Sequence, residues 1–419
     1  MKKLSRVVVV VSAVLTAACG NPSTRVAAGT PGTHQQAIIN GEPCGRDDFP
    51  SAVALLTDAT VDLGGFGTQR IKTVMCTGTL IAPDVVLTAA HCLDASLLTL
   101  GFGTVQEQKM YVSAEPDLTA LAQQSTEEFP DDAVEAHSWA HHPEFDPDAF
   151  NSVNGPGNFH DVGLLFLSRP FPRTPAYVIT ATESAELAEG KDLDIVGWGQ
   201  QTVTNGPLDP PPPGTVGRKV CAQSFLNELG THEMQVGGDN TTQRKCHGDS
   251  GGPSYLRVTA DGDNLRLVGI TSHAYDQEDC NKGGVDTRAD VWRDWIEQEM
   301  MGRCGAADGG RVWCDVTGIP EPGYVFPVYD GGYGPDEEDA GTTPENDAGT
   351  SPGADAGSTG EVDAGTTAPP GNNDDTGSAG DSAQPFAMQC AHHGPSGGGP
   401  GVAGALALLA WVARLRRRK

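Results

Sequence analysis

Cys246-His247-Gly248-Asp249-Ser250-Gly251-Gly252-Pro253 sets one serine among glycines that can bend the chain sharply around a reacting carbonyl. A serine hydroxyl is a poor nucleophile at neutral pH until an adjacent base takes its proton, so a nucleophilic Ser250 demands a histidine and a carboxylate elsewhere in the chain. Upstream, Leu87-Thr88-Ala89-Ala90-His91-Cys92 ends an apolar strand in a small-residue turn that exposes an imidazole, which makes His91 the candidate general base among eleven histidines. Cys92 can tie that turn down, and Cys76, sixteen residues earlier across an intervening strand pair, is its expected partner. The third member must be buried enough to orient an imidazolium, so it belongs at the start of a very apolar strand. Asp161, in His160-Asp161-Val162-Gly163-Leu164-Leu165-Phe166-Leu167, meets that requirement, whereas Asp146, Asp148 and His160 lack a strand that would bury them.

Outward from these stretches, short apolar runs recur between Gly, Pro and Asp-rich turns: Val53 to Leu56, Val85 to Leu87, Val162 to Leu167, Leu265 to Ile270. This spacing favours strands over helices and an all-β domain that begins at Ile38. The clearest helix is expected over 289–300, where Val291, Trp295, Ile296 and Met300 share one apolar side and mark the domain's C-terminal end.

Together, Thr88-Ala-Ala-His-Cys92, Asp161-Val-Gly-Leu-Leu165 and Gly248-Asp-Ser-Gly-Gly-Pro253 resemble the three motifs of the chymotrypsin/trypsin-like serine peptidases, over roughly residues 38 to 300. Gly197-Trp198-Gly199 matches a further loop of that family. The resemblance implies two six-stranded antiparallel β-barrels with a C-terminal helix, the triad lying in the cleft between the barrels. It also implies roles: Ser250 attacks the scissile carbonyl, His91 takes and returns the proton, and Asp161 fixes the tautomer. The N–H groups of Gly248 and Ser250 would form the oxyanion hole, where losing one donor typically costs about 3 kcal/mol of transition-state stabilisation. Ser272 matches the residue that hydrogen-bonds the buried aspartate.

By the same resemblance Ile38-Ile39-Asn40-Gly41 looks like the N-terminus of an activated peptidase, its ammonium pairing with Asp249. Cleavage then follows Ala37, so the activating protease must accept small residues rather than Lys or Arg. The family pattern also pairs Cys44 with Cys221 and Cys246 with Cys280, and puts Val236 where many relatives have cysteine. Each bridge contributes roughly 2 to 4 kcal/mol.

One part of the pattern departs. Where trypsin-like enzymes place an aspartate that selects Lys or Arg, six residues before the serine, this chain has Arg244 followed by Lys245; Asp286 stands near the pocket floor, where tyrosine is usual. Two readings stay open for a pocket made of Arg244, Ser272, His273, Ala274, Gly284 and Asp286. Either Arg244 takes Asp or Glu side chains in a two-pronged ion pair, or Arg244 pairs internally with Asp286, because a buried unpaired guanidinium is far more costly than a paired one. His273 and Ala274 stand in place of the usual Trp and Gly of the pocket wall. Trypsin specificity is not expected.

The ends of the chain read differently. Residues 1–19 have a basic start and an apolar run from Val7 to Ala18, the layout of an export signal. Leu15-Thr16-Ala17-Ala18-Cys19-Gly20 leaves two readings open, lipidation of Cys19 or ordinary cleavage after a small residue. Residues 20–37 suit an extended pro-segment. Beyond the helix, Cys304 and Cys314 bracket a Gly-rich loop, so 301–335 is read as a small disulfide-closed extension. Residues 336–389 repeat Asp-Ala-Gly-Thr/Ser from Asp339, Asp347, Asp355 and Asp363, the composition of a disordered spacer. The last segment, 390–419, joins Cys390, an apolar stretch and Arg414 to Lys419, and its layout resembles the sorting tails of myxobacterial surface proteins. A plain membrane anchor is the other reading.

Composition narrows the function classes. A net charge of -28 excludes a nucleic-acid partner, and much of the acidity lies where no Lys or Arg occurs between Arg311 and Arg414. Ten cysteines in an exported chain, none at Cys-x-x-Cys spacing, are expected to pair as disulfides. His141-His142 and His392-His393 lack carboxylate or cysteine ligands at helical spacing, so neither a metal-dependent hydrolase nor a cofactor is expected. The sequence therefore reads as an exported serine endopeptidase acting on protein or peptide, held near the cell surface or secreted. The alternative is a surface-displayed binding protein that keeps the fold with little or no turnover.

Overall fold

The computed structural model describes residues 38–329, apart from 65–66, 96–97, 99–102, 124–126, 153, 203–211, 259–263, 277–279, 308 and 328. The expectations for the signal, the pro-segment up to Ala37, the acidic repeats and the C-terminal tail lie outside the described residues.

Alternating and continuous apolar runs give thirteen strands among the described residues. Six close the first barrel: β2 (Ala52–Asp62), β3 (Thr68–Ala82), β4 (Val85–Thr88), β5 (Thr104–Ser113), β6 (Val134–His141) and β7 (Gly163–Leu167), in the spatial order β2-β3-β4-β7-β6-β5. The second barrel comprises β8 (Asp192–Gly197), β9 (Val220–Leu229), β10 (Glu233–Val236), β11 (Pro253–Arg257), β12 (Leu265–Ala274) and β13 (Gly284–Arg288). Its order is β9-β10-β13-β12-β11-β8, and a β8–β9 pairing completes the ring. The two-residue strand β1 (Glu42–Pro43) adds to β9 beside the Cys44–Cys221 disulfide. All pairings are antiparallel, which is the expected pair of six-stranded barrels, and closure leaves no long open edge.

Every residue of β7 is buried, which explains why Gly-Leu-Leu-Phe-Leu reads as a continuous apolar run rather than an alternating one. β7 pairs with β4 in the register Leu87 to Leu164 and Thr88 to Gly163, so the turn bearing His91 and the residue Asp161 emerge at the same end of two neighbouring strands. Helix α1 spans Thr119–Gln123 and helix α2 spans Arg293–Arg303. The helix expected over 289–300 thus begins at Arg293 and runs on to Arg303, with Ile296 and Met300 as its buried face.

The stretch after α2 packs into the first barrel's core. The Cys304–Cys314 disulfide forms as expected. Trp313 and Ile319 join the same buried cluster as the strands of the first barrel. Arg311 donates to Asp84 in an ion pair with both side chains fully buried, at 2.9 Å, and the Trp313 N–H donates to the other Asp84 oxygen at 2.9 Å. Among the described residues, no helix is long and apolar enough to cross a membrane.

Candidate active site

The two barrels meet at Thr77 on β3. Its N–H donates to the Ser250 carbonyl at 2.8 Å and its hydroxyl to the Gly248 carbonyl at 3.1 Å. Its own carbonyl accepts the Thr88 hydroxyl at 2.9 Å. One residue of the first barrel therefore anchors both the Ser250 turn and the end of the strand that leads to His91. Nothing in the local sequence around Thr77 signals this, because the contact joins residues 171 apart.

His91 sits on a 3-10 turn over Ala90–Cys92, fastened by the Cys76–Cys92 disulfide. Its Nδ1 lies 2.7 Å from Asp161 Oδ2, while its backbone N–H donates to Asp161 Oδ1 at 2.9 Å. The Ser272 hydroxyl donates to Asp161 Oδ2 at 2.6 Å, and the Thr287 hydroxyl donates to the Asp161 carbonyl at 3.1 Å. Asp161 of the first barrel is thus held from the second by β12 at its carboxylate and by β13 at its main-chain carbonyl. Burial alone would raise the Asp161 carboxyl, but the His91 charge and the bonds from His91 and Ser272 outweigh it and hold the group below its ordinary value. A carboxylate ionised in this position keeps the proton of His91 on Nδ1 and leaves proton acceptance to Nε2.

The Ser250 turn is built from main-chain bonds: Asp249 N–H to Cys246 carbonyl at 3.0 Å, Gly252 N–H to Asp249 carbonyl at 2.9 Å, and Gly251 N–H to Thr271 carbonyl at 2.7 Å. Gly248 takes φ +91°, where a side chain would be strained and its Cβ would meet the Gly199 backbone at 2.9 Å. Asp249 points inward, fully buried, and accepts the N–H groups of Cys246 and Gly199, each at 2.9 Å. A Cβ at position 197 would lie 2.0 Å from its carboxylate, which is why Gly197-Trp198-Gly199 begins with glycine. Burial raises the Asp249 carboxyl to about 7, against the lowering effect of those two backbone donors and of Lys245 and His247. Ile38 is fully buried in the second barrel's cluster, and Ile39 exchanges backbone bonds with Arg244 at 2.9 and 3.2 Å.

At the positions expected to form the pocket, one of the two open readings is overturned: Arg244 does not pair with Asp286. Its guanidinium donates to main-chain carbonyls, Nε to Cys280 and Nη1 to Asn240 at 3.2 Å and Thr242 at 3.1 Å. Lys245 takes the place assigned to Arg244: its Nζ lies 2.8 Å from Asp286 Oδ2 and 2.9 Å from the Ser254 hydroxyl, with the Lys245 and Asp286 side chains both fully buried. The reason is geometric. Adjacent residues on an extended chain point to opposite sides, and the backbone exchange between Ile39 and Arg244 fixes which side Lys245 faces. Burial lowers the Lys245 pKa and Asp286 opposes that shift. Gly284 lies against the base of the Lys245 side chain, since a Cβ there would stand 3.5 Å from Lys245 Cβ. His273 turns its Nε2 toward buried Glu233 at 3.3 Å and meets Phe159 edge-on at 5.1 Å, while Ala274 pairs with Gly284 across the sheet. The Cys246–Cys280 disulfide closes the flank.

A family model for Trypsin matches residues 38–296, and the chain belongs to that family of serine endopeptidases. It is 27% identical over 270 residues to human chymotrypsin-like elastase family member 1, covering 62% of this chain and 90% of that protein. It is 26% identical over 288 residues to mouse tryptase, covering 64% of this chain and 91% of the other. Phenoloxidase-activating factor 1 of Holotrichia diomphalia is 24% identical over 273 residues, with 62% of this chain and 69% of that protein covered. Among solved structures, an HL collagenase aligns over 63% of this chain and 99% of its own, at 20% identity and a TM-score of 0.44. The protein is accordingly a hydrolase whose substrates are proteins or peptides.

Proposed function

We propose that Ser250, His91 and Asp161 carry out peptide-bond hydrolysis by an acyl-enzyme route. Ser250 Oγ bonds to the scissile carbonyl carbon as its proton passes to His91 Nε2, and the tetrahedral oxyanion takes hydrogen bonds from the Gly248 and Ser250 N–H groups. Collapse breaks the C–N bond, and His91 returns the proton to the leaving amine. Water, deprotonated by His91, then releases the acid and restores Ser250. The observation that carries this reading is the His91–Asp161 pair at 2.7 Å, with Asp161 fully buried and bonded by Ser272.

We infer a primary specificity unlike trypsin's. A pocket whose internal charges, Lys245 and Asp286, neutralise one another selects neither a cationic nor an anionic side chain, and favours small or apolar residues before the cut. Profiling cleavage of a peptide library tests this: cutting after small or apolar residues supports it, and predominant cutting after Lys, Arg, Asp or Glu refutes it.

Activation is read in the same terms. Cleavage after Ala37 by a protease accepting small residues would free the Ile38 ammonium to neutralise Asp249, whose ionisation is opposed by burial in the uncut chain. The enzyme would be exported by residues 1–19 and held at the surface through Cys19 or residues 390–419. N-terminal sequencing of active protein is expected to begin at Ile38, and an intact pro-segment on active enzyme refutes the scheme.

A further inference from the structure

The end of β6 and the turn before β7 bring three donor groups together outside the triad. His142, Glu144 and His160 each offer one nitrogen or carboxylate oxygen, and these atoms all lie within 4.8 Å of one another. His160 Nε2 is 3.0 Å from Glu144 Oε2. The rings of His142 and His160 stack with centroids 4.9 Å apart and planes 16° from parallel. Trp292 backs both rings edge-on, at 4.8 Å from His142 and 4.9 Å from His160, and Trp295 stands 5.4 Å from His142. The result is two imidazoles against an indole wall, with a carboxylate on the solvent side: the Glu144 side chain is 71% exposed and that of His160 18%.

Stacked imidazoles repel one another when both are protonated. Two imidazoles and one carboxylate suit a borderline cation of the zinc class better than calcium or magnesium, which prefer oxygen donors throughout.

We propose that His142, Glu144 and His160 form a binding site for one zinc-class divalent cation, with solvent completing the coordination on the open side of Glu144. Metal–ligand distances of about 2.0–2.1 Å in a tetrahedron require donors about 3.3 Å apart, so on binding the two stacked rings must turn until both in-plane lone pairs meet at the ion, with the exposed Glu144 side chain closing on them. The Glu144 N–H donates to His142 Nδ1 at 3.2 Å, which ties the backbone of Glu144 to the ring beside it.

Such an ion would brace the turn that presents Asp161. His160 takes φ +52°, a left-handed conformation that a histidine keeps only where its surroundings impose it. Its carbonyl accepts the Val162 N–H at 2.9 Å, and the His142 N–H donates to the Val162 carbonyl at 3.0 Å. The cation would tie the side chains of the two segments that these backbone bonds already join.

The test uses the full chain as Ser250→Ala, to prevent self-digestion, stripped of metal by a chelator and titrated with Co2+ and then Zn2+. One equivalent of Co2+ is expected to give saturable visible d–d absorption that Zn2+ abolishes, and the Tm is expected to rise with Zn2+ concentration. Glu144→Gln and His160→Asn are each expected to weaken binding by more than about tenfold. Asn tolerates the left-handed backbone of position 160, and the exposed Glu144 gives a variant that folds if His160→Asn does not. His141→Gln, which alters the exposed neighbour outside the cluster, is expected to bind as the parent does. No saturable one-equivalent cobalt spectrum, or a spectrum of undiminished affinity in Glu144→Gln and His160→Asn, overturns the proposal.

Discussion

Asp286→Asn removes one charge from the buried Lys245–Asp286 pair of the proposed pocket while conserving shape. Lys245 Nζ, 2.8 Å from Asp286 Oδ2 and fully buried, then has only neutral partners, the Ser254 hydroxyl at 2.9 Å among them. Breaking a buried ion pair from one side typically costs about 3–5 kcal/mol, and because asparagine still accepts a hydrogen bond the loss is expected near about 3 kcal/mol. Lys245→Met/Asp286→Val, which removes both charges, is expected to recover most of it, so a double-mutant cycle reads the coupling directly. Specificity shifts with the same substitution. If the proposed pocket opens onto Lys245, its unpaired ammonium offers a charge-assisted hydrogen bond to an acidic side chain, about 1.5–3 kcal/mol, or roughly ten- to a hundredfold in kcat/KM for Asp or Glu over a neutral residue of similar size. Urea unfolding and peptide profiling of Asp286→Asn measure the two effects. Unchanged stability together with an unchanged cleavage profile would refute the reasoning that Lys245 and Asp286 neutralise one another.

Further outcomes follow from the same contacts. Asp161→Asn leaves the geometry in place but favours the wrong tautomer of His91, so kcat is expected to fall about 10⁴-fold in steady-state assays of the activated enzyme. In the uncut chain Asp249 has a folded pKa raised by burial to about 7 above an unfolded value of 3.8. Its contribution to stability is therefore fully present below pH 3.8 and lost as pH rises through about 7. Unfolding of uncut Ser250→Ala with and without Asp249→Asn, compared from about pH 4 to 8, is expected to show the Asp249 parent losing stability relative to the variant as pH rises. A chain beginning at Ile38 is expected to lose that pH dependence. Arg311→Ala leaves Asp84 buried without its cation and is expected to destabilise by about 3–5 kcal/mol in the same denaturation assay.

The strands and the triad residues were legible because each depends on local pattern, whereas the pair of barrels followed from family resemblance. The apolar runs gave β2, β4, β7 and β12, and the small-residue turn before Cys92 gave His91. Asp161 was found from the apolar strand that follows it, and Ser272 from family resemblance. What stayed hidden depends on contacts across the chain. Thr77 reaches Gly248 over a separation of 171 residues, and Arg311 reaches Asp84 over 227. The choice between Arg244 and Lys245 as the partner of Asp286 turns on which side of the backbone each faces. That orientation comes from Ile39, far upstream in the chain, and from no feature of the local sequence. His142, Glu144 and His160 show no ligand spacing in the sequence because their meeting point is made by a strand end and a turn.

The catalytic assignment is tested most directly by fluorophosphonate labelling of the processed enzyme with the adduct mapped by mass spectrometry. A single adduct on Ser250, abolished by His91→Ala as well as by Ser250→Ala, is the expected result. An active enzyme that carries no label on Ser250, or labelling that persists at full rate without His91, would contradict it.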